Sequence, residues 1–301
     1  MSAAPVRIGT RGSALALAQA GMVRDALAAK WPAHDFVLEI LKTQGDAWSA
    51  RPGDPGPPPD KGFFTREFEE ALRAGTIDLA VHSLKDLPTE ETPGLVLAAI
   101  PRRADARDVL VLRAGLSHAD LPPDATVATG SSRRASQLRA LRPDLRTVPI
   151  RGNIDTRLRK LRENPGWAAT VLAAAGLERL RPDVSGLAVV PLDYSLMLPA
   201  PGQGALALQL REDDRDNRFR AAALDHVPTR AAVTAERAFL QGLGGGCRTP
   251  VGAHAAPEGD GLTLRGIAWI GDDPAPRSGA VSGPLESAAA LGAALAEEIL
   301  G

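Results

Sequence analysis

A strand, a turn of glycine and serine, and a helix occur twice in this chain, and the recurrence limits the fold more than any other feature. Ile8-Gly9-Thr10-Arg11-Gly12-Ser13 closes one strand and opens a helix, and Val127-Ala128-Thr129-Gly130-Ser131-Ser132-Arg133-Arg134 repeats the pattern farther on. Around the first, residues 6–10, 36–41, 77–82 and 95–100 read as strands; around the second, 109–112, 125–129, 145–150, 170–173 and 187–191 do. Helices are expected at about 13–29, with Leu17, Ala20, Met22 and Leu27 among its apolar positions, from Phe64-Thr65 to Gly75, with Phe64, Phe68 and Leu72 as one buried stripe, and at 131–141, 153–162 and 174–180. Such alternation predicts two α/β lobes with largely parallel sheets. Ligands of open α/β sheets bind beyond the carboxyl ends of the strands, so a cleft between the lobes is the expected site. Two helices at about 217–224 and 230–243, three strands near 252–256, 262–269 and 277–281, and a final helix at 285–300 predict a small α+β unit at the end.

Charge narrows the function. Lys and Arg number 35 against 36 Asp and Glu, a net charge of −1. A protein that works by generic nucleic-acid or membrane binding usually carries a clear basic excess, so neither is expected as a partner. No run approaches a membrane span, and Met1-Ser2-Ala3-Ala4-Pro5 lacks the basic flank and apolar core of a signal peptide. One cysteine, Cys247, excludes an internal disulfide and makes the cytoplasm the expected compartment.

The arginines carry the first chemical clue. Arg11 precedes a helix start, Arg133 and Arg134 occupy a first turn, and Arg151 with Gly152 and Asn153 leads into another helix that carries Arg157. The macrodipole disfavours cations at helix N-termini. Anions at those starts reverse the balance, because free N–H groups and guanidinium then act together. Carboxylates and phosphates fit this pattern equally. Asp86, at the end of the strand in His82-Ser83-Leu84-Lys85-Asp86-Leu87-Pro88, is a carboxylate among these cations, able to stabilise a cation or accept from an N–H. His82 reads as packed at the strand end. No metal-ligand spacing occurs. Residues 51–62, with five prolines among them, read as a lid or linker. Cys247 follows Gly244-Gly245-Gly246 and precedes Arg248, which suits either an attachment point, a nucleophile or a small packed thiol.

In order along the chain, Arg7 to Ser13 with Leu15, Ala16 and Gln19, Val81 to Pro88, Ser131-Ser132-Arg133-Arg134, Arg151-Gly152-Asn153 with Thr156-Arg157, Ala175 to Leu180, Pro201-Gly202-Gln203-Gly204, and Gly245-Gly246-Cys247 with Pro250-Val251-Gly252 resemble the motifs of the porphobilinogen deaminase (hydroxymethylbilane synthase) family. Seven motifs in sequence make the resemblance specific. It implies two periplasmic-binding-protein-like α/β lobes with a cleft between them and a small C-terminal α+β domain carrying the cofactor cysteine. The corresponding divisions are 1–101 with 198–216, 102–197, and 217–301. It further implies a monomeric cytoplasmic transferase of tetrapyrrole biosynthesis. Four porphobilinogen molecules would be deaminated and joined head to tail on a dipyrromethane cofactor, and the linear tetrapyrrole then released by hydrolysis. Carried over residue by residue, Cys247 would hold the dipyrromethane through a thioether, and Asp86 would be catalytic. Ser83, Lys85, Asp86, Thr129, Ser131, Arg133, Arg134, Arg151 and Gly152 would bind the cofactor. Arg11, Ser13, Gln19, Lys61, Phe64, Arg151, Arg157 and Arg179 would bind substrate. Departures from the family pattern fall at Ser132, where leucine is common, at Gln44, where arginine is common, and in the proline-rich 51–62. The alternative is a two-lobed anion-binding protein without catalysis.

Overall fold

A computed structural model describes residues 4–45, 65–113, 121–244, 249–271 and 273–301. The segment 51–62 and residues Lys61, Phe64, Gly245, Gly246 and Cys247 lie outside the described residues.

In chain order the elements are β1 (Val6–Arg11), α1 (Ala14–Lys30), β2 (Phe36–Leu41), α2 (Arg66–Arg73), β3 (Leu79–Ser83), β4 (Leu95–Ala99) and β5 (Asp108–Arg113). Next come β6 (Thr126–Ala128), α3 (Ser132–Leu141), β7 (Arg146–Val148), α4 (Ile154–Glu163), β8 (Ala169–Ala173), α5 (Ala174–Leu180) and β9 (Leu187–Pro191). The chain ends with β10 (Leu206–Arg211), α6 (Arg215–Ala222), α7 (Val227–Gly242), β11 (Val251–Glu258), β12 (Gly261–Ala268), β13 (Arg277–Pro284) and α8 (Ala288–Leu300).

Two compact units result, one of Met1–Ala104 with Ala205–Arg230, the other of Asp105–Gly204 with Ala231–Gly301. The first holds a sheet of order β2-β1-β3-β10-β4, in which β10 alone runs antiparallel to its neighbours. The second holds a sheet of order β7-β6-β8-β5-β9, in which β5 alone runs against the rest. Largely parallel sheets are therefore present, and the two strands bearing the repeated turn, β1 and β6, occupy the same second place in their sheets. In each sheet the reversed strand is the first one the chain forms on entering, or re-entering, that unit.

Local chemistry explains why helices follow those turns. Ser13 caps α1 by accepting from Ala16 N, Ser131 caps α3 by accepting from Arg134 N, and Asn153 caps α4 by accepting from Thr156 N. Behind β1 and β3, Ile8, Leu79, Val23, Leu27 and Leu208 form one core. Phe68, Leu72 and Ile77 form another, so α2 buries Phe68 and Leu72 of the expected stripe, whose Phe64 lies outside the described residues, with Gly75 at φ +67° ending it. Met22, one of the apolar positions read for α1, is half exposed, whereas Gln19 and Val23 are buried. One hundred degrees per residue carries position 22 away from the face shared by 20, 23 and 27.

The second unit also contains the antiparallel sheet β11-β12-β13. Ala253, Leu264, Phe239 and Leu295 pack between it and α7 and α8. Gly292 lets the two helices touch backbone to backbone: a Cβ there would collide with Ala235 O and stand 2.8 Å from Phe239 N.

Candidate functional site

The first unit gathers Arg11, Ser13, Gln19, His82, Ser83 and Asp86 on the wall of one cavity of about 90 Å³, with Thr65 and Phe68. Asp86 ends a 3-10 turn, Leu84–Asp86, that continues β3. The turn is tethered at its buried Leu84, whose N donates to Ala205 O at 3.0 Å, and closed by Leu87 N on Leu84 O at 3.1 Å. Lys85 and Asp86 are thereby left exposed. Ser83 Oγ donates to Gln19 Oε1 at 3.0 Å, which fixes the side chain of one candidate against another across two elements. His82 is buried, edge-on to Phe68 with ring centroids 5.2 Å apart, and its Nε2 lies 3.1 Å from Gln209 Oε1. Burial, only partly opposed by the Gln209 hydrogen bond, pushes the imidazole down to about 4, so it is neutral at pH 7. It packs at the strand end, as expected.

In the second unit Thr129, Ser131, Arg133, Arg134, Arg151, Gly152, Arg157 and Arg179 lie at or just beyond the carboxyl ends of β6, β7 and β8. Thr129 is buried and its Oγ1 accepts from Ser131 N at 3.2 Å. Gly130 is required here, since a Cβ would stand 2.7 Å from Ile150 O. Gly152 takes φ +113°, and its carbonyl accepts from Arg157 Nε at 2.8 Å. Arg179 Nη2 donates to Gly204 O at 2.6 Å.

Arg133 and Arg134 are buried, and the protein itself supplies their first anion. Arg133 Nη1 donates to Asp108 Oδ2 at 2.7 Å and to Leu198 O at 2.6 Å. Arg134 donates from Nε and Nη2 to Asp108 Oδ1 at 3.1 and 2.7 Å, and from Nη1 to Val171 O at 2.9 Å. Burial alone would raise the Asp108 carboxyl; the two guanidiniums, Arg133 foremost, outweigh it and hold Asp108 well below the usual carboxylate range. Burial, with the neighbouring Arg134, lowers Arg133. Sequence reasoning missed Asp108: it lies in Asp105-Ala106-Arg107-Asp108, far from α3 in the chain, and only the antiparallel entry of β5 beside β8 carries it there.

Two further cations are short of negative charge. Arg157 is pushed down to about 10 by burial and by Arg134. Burial also lowers Arg179, against the pull of Glu178. Neither makes an ion pair among the described residues, and the Nε atoms of Arg133 and Arg179 are buried without a partner. Arginine stays charged at neutral pH even so. Concentrated, partly desolvated positive charge with unused planar donors matches a ligand bearing several carboxylates. Among the described residues no group of His, Cys, Asp and Glu could hold a metal ion, and no helix is long and apolar enough to cross a membrane.

Fold and sites together define an α/β protein in which one unit concentrates cations suited to a polycarboxylate and the other presents one exposed, fixed aspartate. Comparison with known proteins makes the class specific. The family model described as porphobilinogen deaminase, dipyromethane cofactor binding domain, matches residues 6–218, and that described as porphobilinogen deaminase, C-terminal domain, matches 230–301. The porphobilinogen deaminase of Roseiflexus sp. (strain RS-1) is 51% identical over 97% of this chain and 95% of its own. That of Roseiflexus castenholzii is 50% identical over the same shares, and that of Thermus thermophilus is 47% identical over 98% of this chain and 95% of its own. The chain belongs to the porphobilinogen deaminase family. It is accordingly a transferase of tetrapyrrole synthesis whose larger matched region is a dipyrromethane cofactor-binding domain. Nothing in these relatives supports binding without catalysis.

Proposed function

We propose that Asp86 is the catalytic residue of a hydroxymethylbilane synthase reaction, in which porphobilinogen units lose ammonia and are joined head to tail before the linear tetrapyrrole is hydrolysed off. One observation carries the assignment: Asp86 is exposed on the wall of a single cavity with Arg11, Ser13, Gln19 and Ser83. Loss of ammonia from porphobilinogen leaves a resonance-stabilised cation. A fixed carboxylate stabilises that charge as it develops and accepts from pyrrole N–H groups, without reorganising at the moment of reaction. Arg11, Ser13 and Gln19 orient the acetate and propionate arms of substrate, with Lys61 and Phe64 acting from the proline-rich segment. Arg151, Arg157 and Arg179 take substrate carboxylates too.

The orphaned Nε atoms and the surplus positive charge around α3 fit a dipyrromethane with its four carboxylates. Ser83, Lys85, Asp86, Thr129, Ser131, Arg133, Arg134, Arg151 and Gly152 would hold it, and Cys247 would carry it through a thioether. When bound, the group supplies the pyrrole carbon to which each new unit is joined. The lid role of 51–62, the three-domain division at 1–101 with 198–216, 102–197 and 217–301, and a monomeric cytoplasmic enzyme without nucleic-acid or membrane partners belong to the same reading, supported by three separate sheets and a near-balanced charge.

Intact mass of the purified protein tests the cofactor, and kinetics test the aspartate. The mass is expected to exceed that of the chain by two linked pyrrole units located on Cys247. Asp86→Asn is expected to keep fold and mass while losing nearly all turnover. An unmodified, fully active protein would sink the first assignment, and a wild-type rate in the variant would sink the second.

A further inference from the structure

The carboxylate that holds the arginine pair is itself held. Asp108 has no exposed surface, and besides its arginines it accepts from Gln203 Nε2 at 2.9 Å. The same nitrogen donates to Ala106 O at 2.8 Å, so both amide protons of this buried glutamine are used. Gln203 sits between Gly202 and Gly204, at φ +75° and +84°, in a turn closed by its own N on Ala200 O at 2.9 Å. Gly202 N donates to Glu236 Oε2 at 2.7 Å. Glu236, fully buried on α7, accepts with its other oxygen from Ala255 N of β11 at 2.9 Å.

Charge says what this arrangement is for. Two guanidiniums and one carboxylate leave one net positive charge in a nearly dry place. A buried unpaired charge is costly, and a network serving stability alone is better closed by a second carboxylate. The position contacting Asp108 is instead a neutral amide, which orients the carboxylate and leaves the surplus charge for an incoming anion. We infer that Gln203, anchored by Glu236, is a positioning residue: it fixes Asp108 and, through it, the geometry in which Arg133 and Arg134 meet the carboxylates of the cofactor. This rests on the cofactor assignment above. Placement within a fraction of an ångström decides how well such a pair grips a planar anion.

Cofactor loading of the full-length apoprotein, followed by intact mass after addition of porphobilinogen, tests it without a turnover assay. Gln203→Leu keeps the charge of the cluster and removes the hydrogen bonds to Asp108 and to Ala106 O. Its gain of the two-pyrrole mass is expected to slow about tenfold, the effect of losing one hydrogen bond to a charged group. Gln203→Glu adds a carboxyl facing Asp108, Arg133 and Arg134, with Glu236 behind Gly202. Ionised, it cancels the surplus charge and repels Asp108; protonated, its single O–H donates to Asp108 in place of the amide, and Ala106 O loses its donor. Its loading, relative to the unsubstituted protein at each pH, is expected to be slow at pH 8 and to recover toward pH 6 while its folded fraction, read by circular dichroism at each pH, stays unchanged; a defect that follows the folded fraction marks a merely structural role and overturns the inference. Should Gln203→Leu fail to fold, the pH series of Gln203→Glu decides alone. Loading at the unsubstituted rate in both variants, or a pH-independent defect in Gln203→Glu, overturns the inference. If the unsubstituted apoprotein never gains the mass, the cofactor assignment itself fails.

Discussion

Mild acid should destabilise this protein through one histidine. His82 is buried and neutral, pushed from an ordinary value of 6.5 to about 4. Below pH 6.5 the unfolded chain binds a proton there that the folded chain refuses, so stability falls as the pH drops and levels off near pH 4. The gap of about 2.5 pH units, at ~1.36 kcal/mol each, corresponds to about 3 kcal/mol in full. Between pH 7 and pH 5 roughly 2 kcal/mol of it is lost. Asp108 does not confuse this window: its depressed carboxyl contributes stability that is present above the ordinary carboxylate range and lost only at lower pH. The measurement is urea unfolding of the unsubstituted protein and of His82→Gln at pH 7 and pH 5. Glutamine can still bond to Gln209 but does not titrate. The variant is expected to be less stable at pH 7 yet to lose about 2 kcal/mol less on acidification. If both proteins lose the same amount, the proton is going elsewhere and the burial argument for His82 is wrong. A neutral His82 has a chemical consequence as well, since it lines the Asp86 cavity without adding a cation to it.

Two stability predictions follow from packing in the second unit. Arg134→Leu strips Asp108 of two of its donors and should cost about 3 kcal/mol in addition to weakening cofactor retention; normal melting with altered kinetics would mean that Asp108 relaxes onto other donors. Gly292→Ala forces α8 away from Ala235 and Phe239 and should cost about 2 kcal/mol, read as a fall of several degrees in Tm; an unchanged Tm would show that the two helices part easily.

Periodicity and turn chemistry made much of the architecture readable. Ser13, Ser131 and Asn153 cap the helices they were expected to open, and Phe68 and Leu72 bury the stripe their spacing implied. Asp86 was picked out by its place at the carboxyl end of β3, and the 3-10 turn Leu84–Asp86 that continues the strand leaves it exposed there. The helix-start arginines read as places for incoming anions, whereas the anion found on Arg133 and Arg134 is the chain's own Asp108, and pairwise local rules have no access to a contact made across β5 and β8. Gln203 and Glu236 were hidden for a similar reason. A glutamine between two glycines signals only a tight turn, and a glutamate inside an amphipathic helix signals a solvated face until its oxygens are found on Gly202 N and Ala255 N. Met22 was misplaced because an alanine-rich helix gives a weak apolar contrast.

The reversed strand β10 carries a consequence for biosynthesis. The first sheet needs Leu206–Arg211 between β3 and β4, so residues up to Ala104 have left the ribosome long before their sheet can close. At ~5–20 residues per second, the intervening stretch of about a hundred residues takes roughly 5–20 s to make. Meanwhile β3 and β4 each expose an unpaired edge, the kind of surface that invites association with other nascent chains. The strand that completes the floor behind His82 and Asp86 is thus also the one that ends this exposure, which makes 206–211 a segment where a slow codon or a weak β-former should lower yield before it lowers activity.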